Sequence, residues 1–212
     1  MLLLKYVAVI ISAYLLGSLN FSIIISKAVM KTDVREHGSK NAGSTNAYRL
    51  MGGKMTTFVM LGDVLKGVIA VLIGGLVFGE LAHFGGYGKL AAGFAVVLGH
   101  VFPVYFKFKG GKGVLTAAAM LAVFDVRVLA VVFAVFVIVV ILTRFVSLAS
   151  VFAAAGVPIS MFIFYGADPV YLTAGFVLGA FVIFLHRGNI KRLIHGEESR
   201  FTLNKKGKDD KK

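Results

Sequence analysis

Long runs of apolar residues are the feature that most limits what this chain can fold into. A bilayer core takes about 20 helical residues to cross, so apolar runs near that length predict membrane-spanning helices. Since 58% of the residues are hydrophobic and only 16% are charged, too few polar residues remain to cover a soluble domain. The predicted fold class is therefore all-α, a polytopic integral membrane protein. Its seven apolar segments are residues 2–25, 55–78, 90–106, 114–124, 128–142, 148–165 and 170–185.

The fourth segment is too short to span a bilayer. Residues 114–124 make about 16 Å of helix, which is half of a hydrocarbon core. The polar break at residues 125–127 separates this segment from the next one. The alternatives are a half-helix and the first part of one long bent span, and the break favours two elements, with about seven transmembrane helices in all.

The basic residues fix the expected orientation. With the C-terminus inside, 19 Lys and Arg residues lie on the inner side and three on the outer side. This asymmetry predicts an outer N-terminus and a cytoplasmic C-terminus. The net charge of +13 comes from loops beside the spans, so it indicates lipid headgroups and not nucleic acid as partners. Residues 1–198 are predicted to form one membrane domain, followed by a basic, disordered cytoplasmic tail at 199–212.

The first polar stretch, residues 35–49, is rich in small residues, hydroxyls and amides with flanking cations. Such a loop can direct backbone N–H groups, hydroxyls and a guanidinium at an oxyanion. An ordinary hydrophilic loop is the alternative interpretation. The candidate site residues of this first polar stretch are Ser39, Asn41, Thr45, Asn46 and Arg49.

The second polar stretch, the glycine loop of residues 106–113, is rich in glycine and precedes an apolar helix. Glycines let the backbone wrap an anion, the helix N-terminus supplies N–H groups, and Lys112 adds a full charge. It is not a nucleotide-binding Walker A loop, which needs Gly at Phe106 and Ser or Thr at Gly113. The alternative is a flexible basic turn. Its candidate phosphate-binding residues are Lys109, Gly110, Gly111, Lys112 and Gly113.

The third polar stretch, residues 186–198, follows the last apolar segment. On a helix, His186 and Asn189 share one face and can point together into a polar pocket. The alternative is a histidine that bonds the last helix carbonyls. Arg144 and Ser147, in a short inner turn, can add charge and a hydroxyl to the same anion site.

Two charges lie inside the second apolar segment. Asp63 and Lys66 are three residues apart, where unpaired charges are costly, so we predict a paired structural anchor and not catalytic groups. The chain has no cysteine, and its sequence contains no metal-ligand cluster. We therefore predict neither a metal nor a cofactor.

The three polar stretches, in this order and spacing, resemble those of the acyl-phosphate-dependent glycerol-3-phosphate acyltransferases of bacterial membranes. The first consists of Gly17-Ser18 and then GSKNAGSTN through Arg49. The second is GHVFPVYFKFKGGKGV at 99–114, and the third is HRGNIKRLIHGEE at 186–198. The runs LGDVLKG at 61–67 and TRFVSLAS at 143–150 are also similar.

The resemblance implies transfer of an acyl group from acyl phosphate to the 1-hydroxyl of glycerol 3-phosphate. The products are then lysophosphatidic acid and phosphate, in the first committed step of phospholipid synthesis. We further expect a monomer in the bacterial cytoplasmic (inner) membrane, with its site on the cytoplasmic face where the basic loops lie.

The resemblance also implies roles for individual residues. Ser39 and Arg49 are required for activity, the glycine loop around Lys112 holds the acyl phosphate, and His186 and Asn189 serve the site. Glu198 maintains structural integrity. The chain departs from the family pattern at Lys40, Ser44 and Leu115, which replace small residues or alanine, but no polar group with an assigned role is lost.

An acyl phosphate is a mixed anhydride with a good leaving group, so a strong protein nucleophile is unnecessary. The chain has no cysteine, and none of its five histidines has an Asp five positions later, the spacing of coenzyme-A-dependent acyltransferases. We expect direct attack by the glycerol hydroxyl, with a substrate phosphate taking the proton and Ser39, His186 and Asn189 orienting the groups. His186 as general base and Ser39 as nucleophile are the competing mechanisms. A membrane transporter for a phosphorylated anion is the alternative function.

Overall fold

The protein is helical throughout the part that the computed structural model describes, residues 1–201. The tail predicted for 199–212 therefore lies largely outside the described residues. Two single 3₁₀ turns, Val34–Glu36 and Val104–Phe106, interrupt the loops. The helices are α1 (Leu2–Gly17), α2 (Phe21–Met30), α3 (Ser44–Phe78), α4 (Tyr87–Val101), α5 (Val114–Phe124), α6 (Val126–Thr143), α7 (Val146–Tyr165), α8 (Pro169–Leu185) and α9 (Arg187–Ile194).

Each predicted apolar segment contains a helix, which confirms the all-α membrane class. Within residues 1–201, five spans are long and apolar enough to cross a bilayer, with α1 and α2 counted together. The pair α8 and α9, bent by 57°, makes a sixth if it is one span. The eleven-residue α5 is separate from α6, as the break at Asp125 predicted. The number of crossings and the orientation stay predictions.

The first apolar segment, predicted as continuous over 2–25, is broken after Gly17. Asn20 starts α2 because its side-chain oxygen accepts a hydrogen bond from the Ile23 N–H at 3.3 Å. An asparagine that caps a new helix competes with continuation of the old one. The break leaves the last carbonyls of α1 inside the protein without helical partners.

The described contacts divide the chain into two compact units, one of residues 1–130 and one that begins at Val131 within α6. In the first unit, α4 packs against α1, α3 and α5. Glycines bring the α1 and α4 backbones together, since a Cβ on Gly17 would lie 2.2 Å from the Val96 oxygen. A Cβ on Gly99 would lie 2.3 Å from the Tyr14 oxygen. Small residues permit such close helix packing in membranes.

In the second unit, α7 packs along α8, and α9 packs against both. Here too a glycine permits close approach, because a Cβ on Gly179 would lie 2.6 Å from the Ala154 oxygen. The prediction of a single domain over residues 1–198 stays a prediction.

Candidate functional site

The first polar loop is built around the side-chain amide of Asn46, which is 2% exposed. Its nitrogen donates to the Val34 and His37 oxygens at 2.9 Å and to the Asn41 oxygen at 3.1 Å. Its oxygen accepts from the Ser39 N–H at 3.1 Å. The amide of Asn46 is therefore occupied by the loop itself, and substrate contact by this residue stays a prediction.

Ser39 and Arg49 present their side chains at the surface of the first unit. Within residues 1–201, neither the Ser39 hydroxyl nor the Arg49 guanidinium makes a hydrogen bond or an ion pair. Thr45 is also exposed, and Asn41 is half-buried. These four predicted site residues lie on the loop or on the first turns of α3, so they are placed where a soluble anion can reach them.

Arg35 joins the first loop to the glycine loop. Its Nη1 donates to the Phe106 oxygen at 2.9 Å and to the Lys109 oxygen at 2.8 Å. The rest of the guanidinium binds both carboxylate oxygens of Asp33, at 2.9 Å and 2.8 Å. The hydrogen bond from Arg35 holds the pKa of Asp33 far below its usual range, and Lys27 adds to the effect. The guanidinium of Arg35 is thus used to hold two loops together.

The glycine loop lies close to the C-terminal end of α4. Gly110 and Gly111 donate their N–H groups to the Val101 and His100 oxygens, at 3.0 Å and 3.2 Å. A Cβ on Gly110 would lie 2.0 Å from the His100 oxygen, and one on Gly111 would lie 2.7 Å from the Ala42 oxygen. These two N–H groups therefore bond α4, and the sequence did not predict that packing role. Direct phosphate contact by Gly110 and Gly111 stays a prediction.

Gly113 starts α5 in the left-handed conformation, with φ of 73°, which favours glycine. The first N–H groups of a helix have no partner within the helix, so the start of α5 is suited to an anion. Lys112, half-buried, immediately precedes this turn. Lys109 is exposed one residue before the glycine pair, and its carbonyl is bound by Arg35.

The ion pair predicted within the second apolar segment is confirmed: Lys66 Nζ lies 2.8 Å from Asp63 Oδ1. The sequence analysis did not include His100, whose Nδ1 lies 3.0 Å from the same Lys66 nitrogen. A histidine inside an apolar run, directly before the glycine-rich stretch, was the available signal. Its side chain is 4% exposed.

In the second unit, Glu198 gathers the polar residues of the third stretch. Its Oε1 accepts from Ser147 Oγ at 2.7 Å and from Asn189 Nδ2 at 2.6 Å, and its Oε2 accepts from Arg192 Nε at 2.7 Å. Burial alone would raise the pKa of Glu198, but these hydrogen bonds together lower that pKa below its ordinary value. Ser147, predicted as a substrate ligand, donates to this carboxylate.

His186 lies at the junction of α8 and α9 and is 3% exposed. Its Nδ1 is 2.8 Å from the Val182 oxygen, and a carbonyl oxygen only accepts, so Nδ1 carries the proton. In the neutral ring, Nε2 is then the acceptor nitrogen, as a hydroxyl-orienting or basic histidine requires. Asn189, 8% exposed, is buried beside it on α9.

The fold and these loops define a class: a polytopic helical membrane protein with polar loops suited to anionic, phosphate-bearing ligands. The model of the family described as glycerol-3-phosphate acyltransferase matches residues 7–196. The chain belongs to this family.

Curated relatives match over nearly their whole length. The glycerol-3-phosphate acyltransferase of Carboxydothermus hydrogenoformans is 38% identical over 92% of this chain and 96% of its own. That of Bacillus subtilis strain 168 is 41% identical over 89% and 94%. The crystal structure of PlsY (YgiH), an integral membrane glycerol 3-phosphate acyltransferase, in its glycerol 3-phosphate form is 39% identical, with a TM-score of 0.82 over 93% of this chain and 96% of that one. Its lysophosphatidic acid form gives a TM-score of 0.79 over 93% and 95%.

Proposed function

We propose that this membrane enzyme transfers an acyl group from an acyl phosphate to the sn-1 hydroxyl of glycerol 3-phosphate, releasing lysophosphatidic acid and inorganic phosphate. Glycerol-3-phosphate acyl transfer is the activity of its family, to which the chain belongs over residues 7–196. The observation that carries the proposal is the likeness to one solved enzyme in two forms, one named for glycerol 3-phosphate and one for lysophosphatidic acid. The relatives support an acyltransferase and not the alternative of a transporter.

The acyl phosphate donor is inferred from chemistry. A mixed anhydride carries its own leaving group, so the enzyme needs binding and orientation more than a protein nucleophile. The chain has no cysteine, and Ser39 has no base within hydrogen-bond distance among the described residues. The half-buried Lys112 at the start of α5 is suited to bind the phosphate of such a donor.

The sn-1 hydroxyl oxygen attacks the acyl carbon and forms the new ester bond. The bond from that carbon to the phosphate oxygen breaks, and phosphate leaves with the electron pair. The hydroxyl proton passes to a phosphate oxygen. Ser39, Arg49 and Lys112 bind phosphate, and cations placed there stabilise the charge that develops on the leaving group.

His186 and Asn189 are assigned to the attacking hydroxyl. His186 holds its proton on Nδ1 by donating to the Val182 oxygen, so Nε2 accepts a hydrogen bond from the glycerol hydroxyl. Asn189 is oriented by Glu198, whose Oε1 accepts a hydrogen bond from the Asn189 side-chain amide. We place the active site on the cytoplasmic side of the bacterial inner membrane, where the basic loops are expected.

Radiolabelled glycerol 3-phosphate tests the donor and the site together. Purified protein receives palmitoyl phosphate or palmitoyl-coenzyme A, and lipid-soluble product is counted. We expect product from the phosphate donor only. Lys112→Ala should lower its formation at least tenfold, since one cation on a developing charge contributes about 2–4 kcal/mol. Lys54→Ala, which removes an exposed lysine of α3, is the matched control and should keep full activity. Product from palmitoyl-coenzyme A alone would overturn the donor assignment.

A further inference from the structure

A cluster of three ionisable side chains lies inside the first unit, and the proposed reaction does not use any of them. Lys66 Nζ lies 2.8 Å from Asp63 Oδ1 and 3.0 Å from His100 Nδ1. Asp63 and Lys66 are 2% exposed and His100 is 3% exposed. Charged groups this deep in a membrane protein are costly, so their arrangement calls for a physical reason.

At one end of the cluster, Lys66 binds backbone oxygens at the interruption between α1 and α2. Lys66 Nζ donates to the Gly17 oxygen at 3.0 Å and to the Leu19 oxygen at 2.8 Å. These carbonyls lie where α1 ends, and a cation there is favoured by the helix dipole. Asp63 balances the charge of the lysine from one turn earlier on α3. The pair therefore joins α1 and α3 with its charge neutralised.

The other end of the cluster meets the glycine loop. His100 Nδ1 faces Lys66 Nζ at 3.0 Å and Asp63 Oδ1 at 3.5 Å, so Nε2 lies on the opposite edge of the ring. That Nε2 edge lies against Gly111, where a Cβ would come within 2.3 Å of it. The backbone oxygen of His100 also accepts from the Gly111 N–H at 3.2 Å. His100 thus contacts the loop through both its ring and its main chain.

We infer that His100 is a positioning residue: held by Lys66 and Asp63, its ring sets the place of the glycine loop and, through Gly111, of Lys112. The inference rests on the proposed function, because that function assigns phosphate binding to Lys112. A loop of glycines has little stiffness of its own. The His100 ring, held from behind by an ion pair, supplies the rigid surface that such a loop lacks.

Two variants distinguish a positioning role of His100 from a purely structural role in holding Lys66. His100→Leu removes both the ring nitrogen that faces Lys66 and the ring edge that lies against Gly111. His100→Asn keeps a side-chain oxygen near the Nδ1 position, so it retains the Lys66 contact but leaves Gly111 without the ring. Lys89→Met is the matched control, since it removes another buried amine, bonded to the His83 oxygen, from the opposite end of α4.

Two measurements are made on each purified full-length variant: KM and kcat with palmitoyl phosphate, and the rate of tryptic cleavage after Lys107, Lys109 and Lys112. In His100→Leu we expect KM to rise about tenfold or more, since a misplacement of about 1 Å at a distance can cost up to a hundredfold. Tryptic cleavage of the loop should also be faster. In His100→Asn the Tm should return toward that of the wild type while KM stays raised. Lys89→Met should lower the Tm without changing KM or loop cleavage.

A His100→Asn variant that restores KM together with Tm would overturn the positioning role and leave a structural anchor. So would a His100→Leu variant whose KM and loop cleavage match those of Lys89→Met. If the wild type makes no product from palmitoyl phosphate, the proposed function fails. The tryptic comparison then still decides whether His100 holds the loop.

Discussion

At the scale of the residue, one side-chain amide shapes the first polar loop. Asn46 donates to three backbone oxygens and accepts from the Ser39 N–H, all while buried. Ser39 itself is exposed. The amide therefore places the Ser39 backbone through hydrogen bonds within the loop. Such a residue is needed for the site even if it never touches substrate.

Asn46→Asp is expected to destabilise the protein more than Asn46→Ala. Alanine leaves buried carbonyls and one N–H unpaired, at about 1–3 kcal/mol for each group. Aspartate keeps the acceptor for Ser39 but places a carboxylate among three carbonyl oxygens, so it should destabilise the protein more. Thermal unfolding and product formation are the measurements, and both should fall. Thr57→Ala removes an exposed helical hydroxyl whose hydrogen bond within residues 1–201 goes to the Gly53 oxygen, and it should change neither quantity. An Asp variant as stable as the wild type would contradict this account of the amide.

Gly111→Ala tests close packing in the glycine loop. A methyl group there would come within 2.3 Å of His100 Nε2 and 2.7 Å of the Ala42 oxygen. Because the second contact is with backbone, the loop must move, and we expect activity to fall at least tenfold, in line with the cost of about 1 Å of misplacement. Gly156→Ala is the control, since a Cβ there would lie 3.7 Å from a Val132 methyl carbon, an ordinary contact distance. That helical glycine should accept alanine with unchanged or slightly higher Tm. An active Gly111→Ala enzyme would show that the packing is not required.

At the scale of the element, the Arg35 guanidinium holds the first polar loop and the glycine loop together. Its bonds to the Phe106 and Lys109 oxygens and to Asp33 need a planar group with several donors. Arg35→Lys keeps the charge but cannot make all of these bonds, so we expect at least a tenfold loss of activity, comparable to that from about 1 Å of misplacement. Arg187→Lys is the charge-matched control, because the guanidinium of that exposed arginine donates to the nearby Phe184 oxygen and does not join two loops. Full activity of Arg35→Lys would mean that charge alone holds the loops.

The joint between α9 and α7 should depend on pH through Glu198. Hydrogen bonds from Ser147, Asn189 and Arg192 lower the pKa of this carboxyl group. A lowered folded-state pKa stabilises the protein fully above the unfolded value, about 4.3 for Glu, and that stabilisation is lost as pH falls below it. We expect the Tm difference between the wild type and Glu198→Gln to be largest near pH 6 and to shrink below about pH 4. A difference that is independent of pH would contradict the ionised state of this group.

At the scale of the whole molecule, orientation is the open prediction with the simplest test. The chain has no cysteine, so single introduced cysteines report without background. In intact spheroplasts, a membrane-impermeant maleimide should label His83→Cys in the exposed α3–α4 loop. Ser199→Cys, exposed after α9, should be labelled only in inverted vesicles. The reverse pattern would invert the topology and move the polar loops to the outer side.

Much of this architecture was predictable from local patterns. The apolar segments predicted the helices, because a helix that crosses the hydrocarbon core needs a continuous apolar surface. The polar break at Asp125 correctly predicted that α5 and α6 are separate helices. The break after Gly17 was missed, because an asparagine cap inside an apolar run is a small polar signal. The Asp63–Lys66 pair was expected from its spacing of three residues. His100 was not, because its partner lies 34 residues away along the chain.

The membrane class, the helices and the positions of the polar residues follow from composition and short-range spacing, so they can be read from the amino-acid order alone. What each polar group does depends on its neighbours in the folded chain. Only the folded chain shows that the Asn46 amide and the Gly110 and Gly111 N–H groups are used internally. Likewise, only the fold brings His100 between Lys66 and Gly111. Hydrogen bonds and close contacts join residues far apart in the chain, and no local pattern encodes which of them will meet.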